Sequence, residues 1–120
     1  MPRYPNLTAW NHARDLVRSV TATFRDARGD GDLVSQIRRA AISVAANLAE
    51  GAERGSDRDF ARFLRIADGS NAELQALITI AGDAGTIRPD AVDCLLDRTV
   101  AMGRLLGGLI RHLRVRAGSG

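Results

Sequence analysis

The segment RRAAISVAANLAEG, residues 38–51, constrains the fold more than any other part of the sequence. Its middle ten residues, 40–49, contain no charged side chain, and Ser43 and Asn47 are the polar ones. Alanine and leucine favour a helix, but a helix that is apolar on nearly every side must be covered on more than one face. The segment therefore predicts a helix that needs several packing partners.

Helical periodicity recurs in four segments of the chain, and no segment shows the alternation typical of a strand. Ser56 with Asp59 three residues later resembles a capping box at a helix start, and Pro89 suits a first helical position. The predicted helices run from about Thr8 to Ala27, from about Asp32 to the Gly51–Gly55 region, from Ser56 to residues 82–85, and from Pro89 onward.

Four amphipathic helices with short connections favour an all-α fold, an antiparallel up-down-up-down four-helix bundle. The chain has only five aromatic residues among 120, so its core should be aliphatic and rich in alanine. The bundle is predicted to span residues 7–116, after an N-terminal extension at residues 1–6 and before a disordered tail at residues 117–120.

The second helix is predicted to carry an apolar outer face. If Ile37, Val44 and Leu48 point into the bundle, Ile42 points away from it. Scattered apolar residues are normal on surfaces, so an ordinary surface is one interpretation. A subunit interface is the other, because large apolar patches are uncommon on monomers. The interface that it predicts consists of Ile42, Ala45, Ala46, Ala49, Ile66, Leu77 and Ile80.

Charge is unevenly distributed along this lysine-free chain, whose net charge is +3. Residues 30–97 hold seven arginines and twelve acids, whereas residues 98–120 hold five arginines and no acid. The acids neutralise the arginines in one interpretation, and in the other the arginines bind phosphate oxygens of RNA or DNA. Because no aromatic side chains accompany the arginines, contacts would be to the backbone. The candidate nucleic-acid contacts are Arg3, Arg14, Arg104, Arg111, Arg114 and Arg116.

Residues 35–74 resemble the signature of the four-helix-bundle proteins encoded in intervening sequences of bacterial 23S ribosomal RNA genes. This sequence departs from the family pattern in two ways. It has Ala45 where that family often has proline, and its basic residues are arginines without any lysine. The second-helix pattern is matched by Arg38, Arg39, Ser43, Asn47, Glu50 and Gly51. The link and third helix are matched by Arg54, Ser56, Phe60, Arg62, Phe63, Leu64, Ile66, Ala67, Gly69, Ser70, Glu73 and Leu74.

The resemblance implies a compact bundle that assembles into a ring, commonly a homopentamer, with an unsettled biochemical role. Relatives of such proteins include accessory proteins of diversity-generating reverse transcriptases, which act with nucleic acid and the polymerase. The resemblance therefore makes a reverse transcriptase a candidate partner, beside RNA or DNA.

Several polar residues recur along one edge of the second helix. Glu50 lies near a helix C-terminus, so Arg54 is its expected partner, and antiparallel packing would place Glu73 opposite Arg38 or Arg39. A ligand site is one interpretation, and a structural network that sets helix register is the favoured one, since buried polar groups must be paired. The predicted network comprises Arg38, Arg39, Ser43, Asn47, Glu50, Arg54, Ser70 and Glu73.

The usual signatures of enzymes are missing. No glycine cluster has the ending of a phosphate loop, and His12 and His112 lack carboxylates at metal-ligand spacing. Cys94 is the only cysteine and has no activating neighbour in sequence. We therefore predict no catalytic residue, metal or cofactor.

One cysteine and no run of about 20 apolar residues suggest a cytoplasmic protein without a membrane span. The predicted function is a non-catalytic, homo-oligomeric scaffold or accessory protein that binds the RNA or DNA backbone. The alternative is a protein-binding adaptor without affinity for nucleic acid, which would present the acidic surfaces of the second and third helices.

Overall fold

The structure is a computed structural model that describes residues 7–25 and 30–119. Over these ranges the chain forms four helices and no strand, as the sequence predicts. None of these helices is both long and apolar enough to cross a membrane. The helices are α1 (Thr8–Thr23), α2 (Gly31–Ala52), α3 (Asp57–Asp83) and α4 (Pro89–Ser119).

The helix ends agree with the sequence where a local signal marks them. The backbone N–H of Asp59 donates to the Oγ of Ser56 at 3.1 Å, which caps α3. The carboxylate of Asp59 accepts a hydrogen bond from Arg62 and not from the backbone N–H of Ser56. Only one of the two hydrogen bonds of a capping box therefore forms. Pro89 is the first residue of α4. Local hydrogen bonding therefore explains the start of α3, and the fixed backbone angle of proline suits the start of α4.

Other boundaries differ from the prediction. The first helix ends at Thr23, and the predicted end at Ala27 lies outside the described residues, as does the N-terminal extension at residues 1–6. The last helix continues to Ser119, three residues beyond the predicted end of the bundle at residue 116. Neither Thr23 nor Arg116 is followed directly by glycine or proline, so the sequence provided no sharp stop at these places.

The core is aliphatic, and all four helices contribute to it. Both α1 and α3 pack beside α2 and α4, so every helix has two neighbours. Burial of these apolar side chains is the main stabilising term, since each contributes about 1.5–3 kcal/mol. The largest fully buried side chains are Leu16, Val20, Phe24, Ile37, Leu48, Leu64, Leu74, Ile78, Leu95, Met102, Leu106 and Leu113.

Two glycines allow neighbouring helices to approach closely. A Cβ atom on Gly51 would lie 2.7 Å from the Cβ of Phe63, and one on Gly82 would lie 2.7 Å from a methyl group of Val92. Such distances are too short for carbon atoms, so these positions require glycine. The end of α2 therefore packs tightly on the start of α3, and the end of α3 packs tightly on the start of α4.

A glycine inside a helix is costly unless a neighbouring backbone approaches it closely, so the sequence predicts such approaches at Gly103 and Gly107. A Cβ atom on Gly103 would lie 3.4 Å from the amide nitrogen of Asn71, which is ordinary contact. At Gly107 the nearest atom belongs to Arg111 of the same helix. The expectation for Gly107 was wrong, because periodicity alone does not show which side of a helix meets a neighbour.

Candidate functional surfaces

The second half of α4 carries four exposed arginines, Arg116 and three others, Arg104, Arg111 and Arg114, which are here called the α4 arginines. None of the α4 arginines forms an ion pair within the described residues. Positions seven residues apart differ by about 20° around a helix, so Arg104 and Arg111 lie on one side of α4. The α4 arginines therefore form a free cationic surface.

The remaining candidate arginines do not join this surface. Arg116 pairs with Asp57 at 3.1 Å, so one of the predicted acids does neutralise it. Arg14 lies on α1 and lines a groove with Trp10 and Ile42, beside α2. Arg3 lies outside the described residues. Arg14 and Arg116 therefore have contacts that the α4 arginines do not share.

The acids around the link between α2 and α3 are bound mainly by local arginines. Glu50 pairs with Arg54 at 2.7 Å, as the spacing predicts, and Asp59 pairs with Arg62 at 3.1 Å. The guanidinium carbons of both arginines lie 4.6 and 4.7 Å from the ring centre of Phe63. Exposed ion pairs contribute only about 0.2–1 kcal/mol each. Among the described residues, no acid forms an ion pair with the α4 arginines.

An apolar groove of about 440 Å³ runs between α1 and α2. Ile42 is 54% exposed at this groove, and Ala46 beside it is also exposed. The side chain of Val17 forms part of the wall from α1. This α1/α2 groove is lined by Trp10, Arg14, Val17, Arg18, Ile42, Ala45 and Ala46.

Two of the residues predicted on the outer apolar face are buried within the chain. Ala45 is 8% exposed because it turns about 60° from Ile42 toward α1. Leu77 is 9% exposed, because it follows Leu74 by three residues and so continues the buried stripe of α3. The outward residues that remain are Ile42, Ala46, the partly exposed Ala49, Ile66 at 44% and Ile80 at 51% exposure.

A polar groove lies on the other side of α2, toward α3. The hydroxyl groups of Ser43 and Ser70 hydrogen-bond at 2.8 Å and join the two helices. The side-chain amide of Asn47 donates to the Oγ of Ser43 at 3.0 Å and to its carbonyl oxygen at 2.9 Å. This α2/α3 groove is lined by Gln36, Arg39, Ala40, Ser43, Ser70 and Glu73.

The predicted ion pair of Glu73 with Arg38 or Arg39 is absent from the described residues. Arg38 instead donates to the carbonyl oxygen of Phe24 at 2.9 Å, and Arg39 donates to the hydroxyl of Ser35 at 3.2 Å. Both arginines therefore reach toward the start of α2 and the end of α1. The predicted network is divided into separate local contacts rather than one continuous ridge.

Sequence reasoning missed a buried polar contact between α3 and α4. The side-chain amide of Asn71 donates to the carbonyl oxygen of Thr99 at 2.9 Å, and the hydroxyl of Thr99 donates to the carbonyl oxygen of Leu96 at 2.8 Å. The amide oxygen of Asn71 is buried without a hydrogen-bond partner. An asparagine that continues the apolar stripe of α3 was the signal that could have marked this site.

Metal ligands and reactive side chains do not cluster in the described part of the chain. No group of three or more His, Cys, Asp or Glu side chains there is arranged to hold a metal ion. His12, His112 and Cys94 are exposed on separate segments of α1 and α4. The grooves and the α4 arginines are therefore the surfaces from which function is argued.

Known proteins share this fold. A crystal structure of a protein with unknown function from the S23 ribosomal protein family of Bacteroides thetaiotaomicron VPI-5482 matches it with a TM-score of 0.80. The two chains are 17% identical, and the match covers 86% of this chain and 98% of that chain. No curated protein matches. The family model described as 23S rRNA-intervening sequence protein matches residues 5–108. The chain therefore belongs to the 23S rRNA-intervening sequence protein family.

Proposed function

We propose that this protein is a non-catalytic scaffold or accessory protein of the cytoplasm that binds the RNA or DNA backbone through the α4 arginines. The observation that carries this proposal is that Arg104, Arg111 and Arg114 are exposed without ion pairs in the described residues. A guanidinium presents its donors in a planar fork that matches phosphate oxygens. Backbone binding is favoured over base reading, since no aromatic side chain lies on this part of α4.

The proposed subunit is an antiparallel up-down-up-down bundle. The ion pair of Asp57 with Arg116 joins the start of α3 to the end of α4. The contact of Gly82 with Val92 joins the end of α3 to the start of α4. Both contacts support opposite directions for these two helices, and the tight contact at Gly51 supports the same relation for α2 and α3.

The proposed assembly is a homo-oligomeric ring, with a pentamer as the expected form. Ile42 and the α1/α2 groove support self-association because they expose apolar surface that a second subunit would remove from water. A ring would repeat the α4 arginines in every subunit. Repetition raises the overall affinity for a long polyanion even when each subunit binds weakly.

The alternative proposal is a protein-binding adaptor without affinity for nucleic acid, using acidic surfaces of α2 and α3. Glu50, Asp57 and Asp59 each pair with an arginine, so less free acidic surface is available than the sequence suggested. This observation favours the nucleic-acid proposal. A reverse transcriptase is a candidate partner under either proposal, as the sequence resemblance implies.

The test compares two triple variants that remove equal charge. Arg104→Gln with Arg111→Gln and Arg114→Gln should weaken binding to duplex RNA at least about tenfold and should lower the salt slope by up to about 2–3. Replacement of Arg54, Arg62 and Arg88 by glutamine removes arginines that are ion-paired and should change affinity less than about twofold. Fluorescence anisotropy across a salt series measures both. Equal losses of RNA affinity in the two triple variants would favour the adaptor. Absence of RNA binding by the unmodified protein after purification in high salt would favour it as well.

A further inference from the structure

A third groove, of about 310 Å³, lies where the end of α1 meets the start of α2. Three arginines line it, Arg25, Arg38 and Arg39, and they are here called the junction arginines. Phe24 and Val34 supply apolar walls, and no acidic side chain among the described residues lines the groove. Three cations in one groove repel each other, so the arrangement favours an anion that lies between them.

Among the described residues, the junction arginines hydrogen-bond only with neutral groups. Arg38 donates one N–H to the carbonyl oxygen of Phe24, and its Nε is buried without an acceptor. Arg39 donates to the hydroxyl of Ser35. The guanidinium of Arg25 makes no hydrogen bond or ion pair within residues 7–25 and 30–119. Most of their donors therefore remain available to a ligand.

The start of α2 borders this groove, and its first turn carries the carboxylate of Asp32. Asp30, the residue before α2, has a φ of 48° and does not cap the helix. Its carboxylate accepts a hydrogen bond from the hydroxyl of Thr86 instead. The first N–H groups of α2 thus lack a side-chain acceptor from Asp30, and Gly31 from this turn lines the groove. The anion site is therefore defined by the arginines and not by the helix end.

We propose that the junction arginines form a phosphate-binding site. A phosphate group is small, carries up to two negative charges and offers several oxygens, so it can accept from two or three guanidinium groups at once. The ligand class is a phosphate monoester or a phosphate of a polynucleotide backbone. Both sources present the same chemistry to Arg25, Arg38 and Arg39.

This site is separate from the α4 arginines. The end of α2 packs against the start of α3 through Gly51, and the start of α3 pairs with Arg116 of α4. The junction arginines lie at the other end of α2, about 20 Å along the helix from Gly51. None of the α4 arginines lines this groove, so the phosphate site is proposed independently of nucleic-acid binding by α4.

Inorganic pyrophosphate is the probe for this site, measured by titration calorimetry at low ionic strength. Arg25→Gln combined with Arg39→Gln should weaken pyrophosphate binding at least about tenfold, since two of three cations are lost. Both side chains are exposed, so the variant should keep its helix content and melting temperature. The control is Arg58→Gln with Arg65→Gln, which removes two exposed α3 arginines that have no ion pair in the described residues.

Pyrophosphate affinity should stay within about twofold in the control. Equal losses in the two double variants would overturn the site and indicate a general charge effect. Absence of saturable pyrophosphate binding up to about 10 mM would also overturn the site. A dissociation constant above this concentration corresponds to a binding free energy of less than about 3 kcal/mol. The Arg104, Arg111 and Arg114 triple variant should retain full pyrophosphate affinity, which separates this site from the surface proposed on α4.

Competition identifies the source of the phosphate. A single-stranded RNA oligonucleotide without terminal phosphates is added to the pyrophosphate complex of the unmodified protein. Displacement that persists in the Arg104, Arg111 and Arg114 triple variant supports the site with a polynucleotide ligand. If the RNA oligonucleotide does not reduce pyrophosphate binding, the result supports the site with a phosphate monoester as its ligand.

Discussion

The two grooves that flank α2 differ in chemistry, although they share one helix. The α1/α2 groove is apolar around Ile42, and two arginines border it. The α2/α3 groove is polar, and the hydrogen bond between Ser43 and Ser70 crosses it. Directional hydrogen bonds hold one helix pair in a defined register, whereas apolar surface favours any cover that excludes water. The α2/α3 side is therefore suited to fixing the register of these two helices within the chain. The α1/α2 side is suited to the proposed contact with a second copy of the chain.

The largest effect is expected from charge placed in the α1/α2 groove. Ile42→Arg should raise the dissociation constant of the assembly by about a hundredfold or more, because an unpaired cation would be buried at the contact. Light scattering should show the mass of a single chain, while circular dichroism should show unchanged helix content. Val100→Arg, at an exposed valine of α4, is the control and should keep the native mass. An Ile42→Arg variant of native mass would contradict this role of the groove.

A smaller effect is expected where α2 packs tightly on α3. Gly51→Ala should lower the free energy of unfolding by about 1–3 kcal/mol, because the new methyl group would overlap the side chains of Phe63 and Phe60. Thermal melting at fixed protein concentration measures this change. Gly69→Ala is the matched control, since no atom lies within 4 Å of the position that its methyl group would take, and it should stabilise the helix by about 1 kcal/mol. Equal melting temperatures for the two variants would disprove the close contact.

Loss of the hydrogen bond across the α2/α3 groove should have a moderate effect. Ser70→Ala removes the partner of Ser43 and should lower the free energy of unfolding by about 0.5–1.5 kcal/mol. Ala46→Ser introduces a hydroxyl on the exposed edge of the opposite groove and should change stability by less than about 0.5 kcal/mol. Urea titration resolves the difference. A Ser70→Ala variant as stable as the unmodified protein would contradict the view that this hydrogen bond holds α2 and α3 together.

The smallest effect is expected at Glu73. This side chain lines the α2/α3 groove and forms no ion pair within the described residues, so Glu73→Gln should change the free energy of unfolding by less than about 0.5 kcal/mol. Urea titration at low and high salt checks this value. A loss of more than about 1 kcal/mol that disappears in high salt would show that Glu73 does have a cationic partner.

Local features of the fold could be predicted from the sequence. The cap at Ser56, the start of α4 at Pro89 and the pair of Glu50 with Arg54 each involve residues at most four positions apart. Their geometry is set by the helix itself and by the chain immediately before it. Such contacts form wherever the helix forms, so spacing alone predicted them.

Contacts between helices were harder to predict. The side chains of Arg38 and Arg39 were expected to meet Glu73, but both reach other groups near the start of α2. Ala45 was expected to be outward and is buried, because α1 covers that side of α2. The contact of Asn71 with Thr99 was missed, since nothing in the sequence states which residue of α4 lies opposite α3.

The sequence by itself determined the number of helices, their approximate extents, the aliphatic core and the excess of arginine in the last helix. These properties follow from periodicity and composition, which involve neighbours within one or two turns. The tertiary structure decided which arginines share a surface, which apolar residues stay exposed and where polar side chains meet. Those outcomes depend on how each helix is rotated and placed against its neighbours, and a repeat of about 3.6 residues per turn leaves that rotation open.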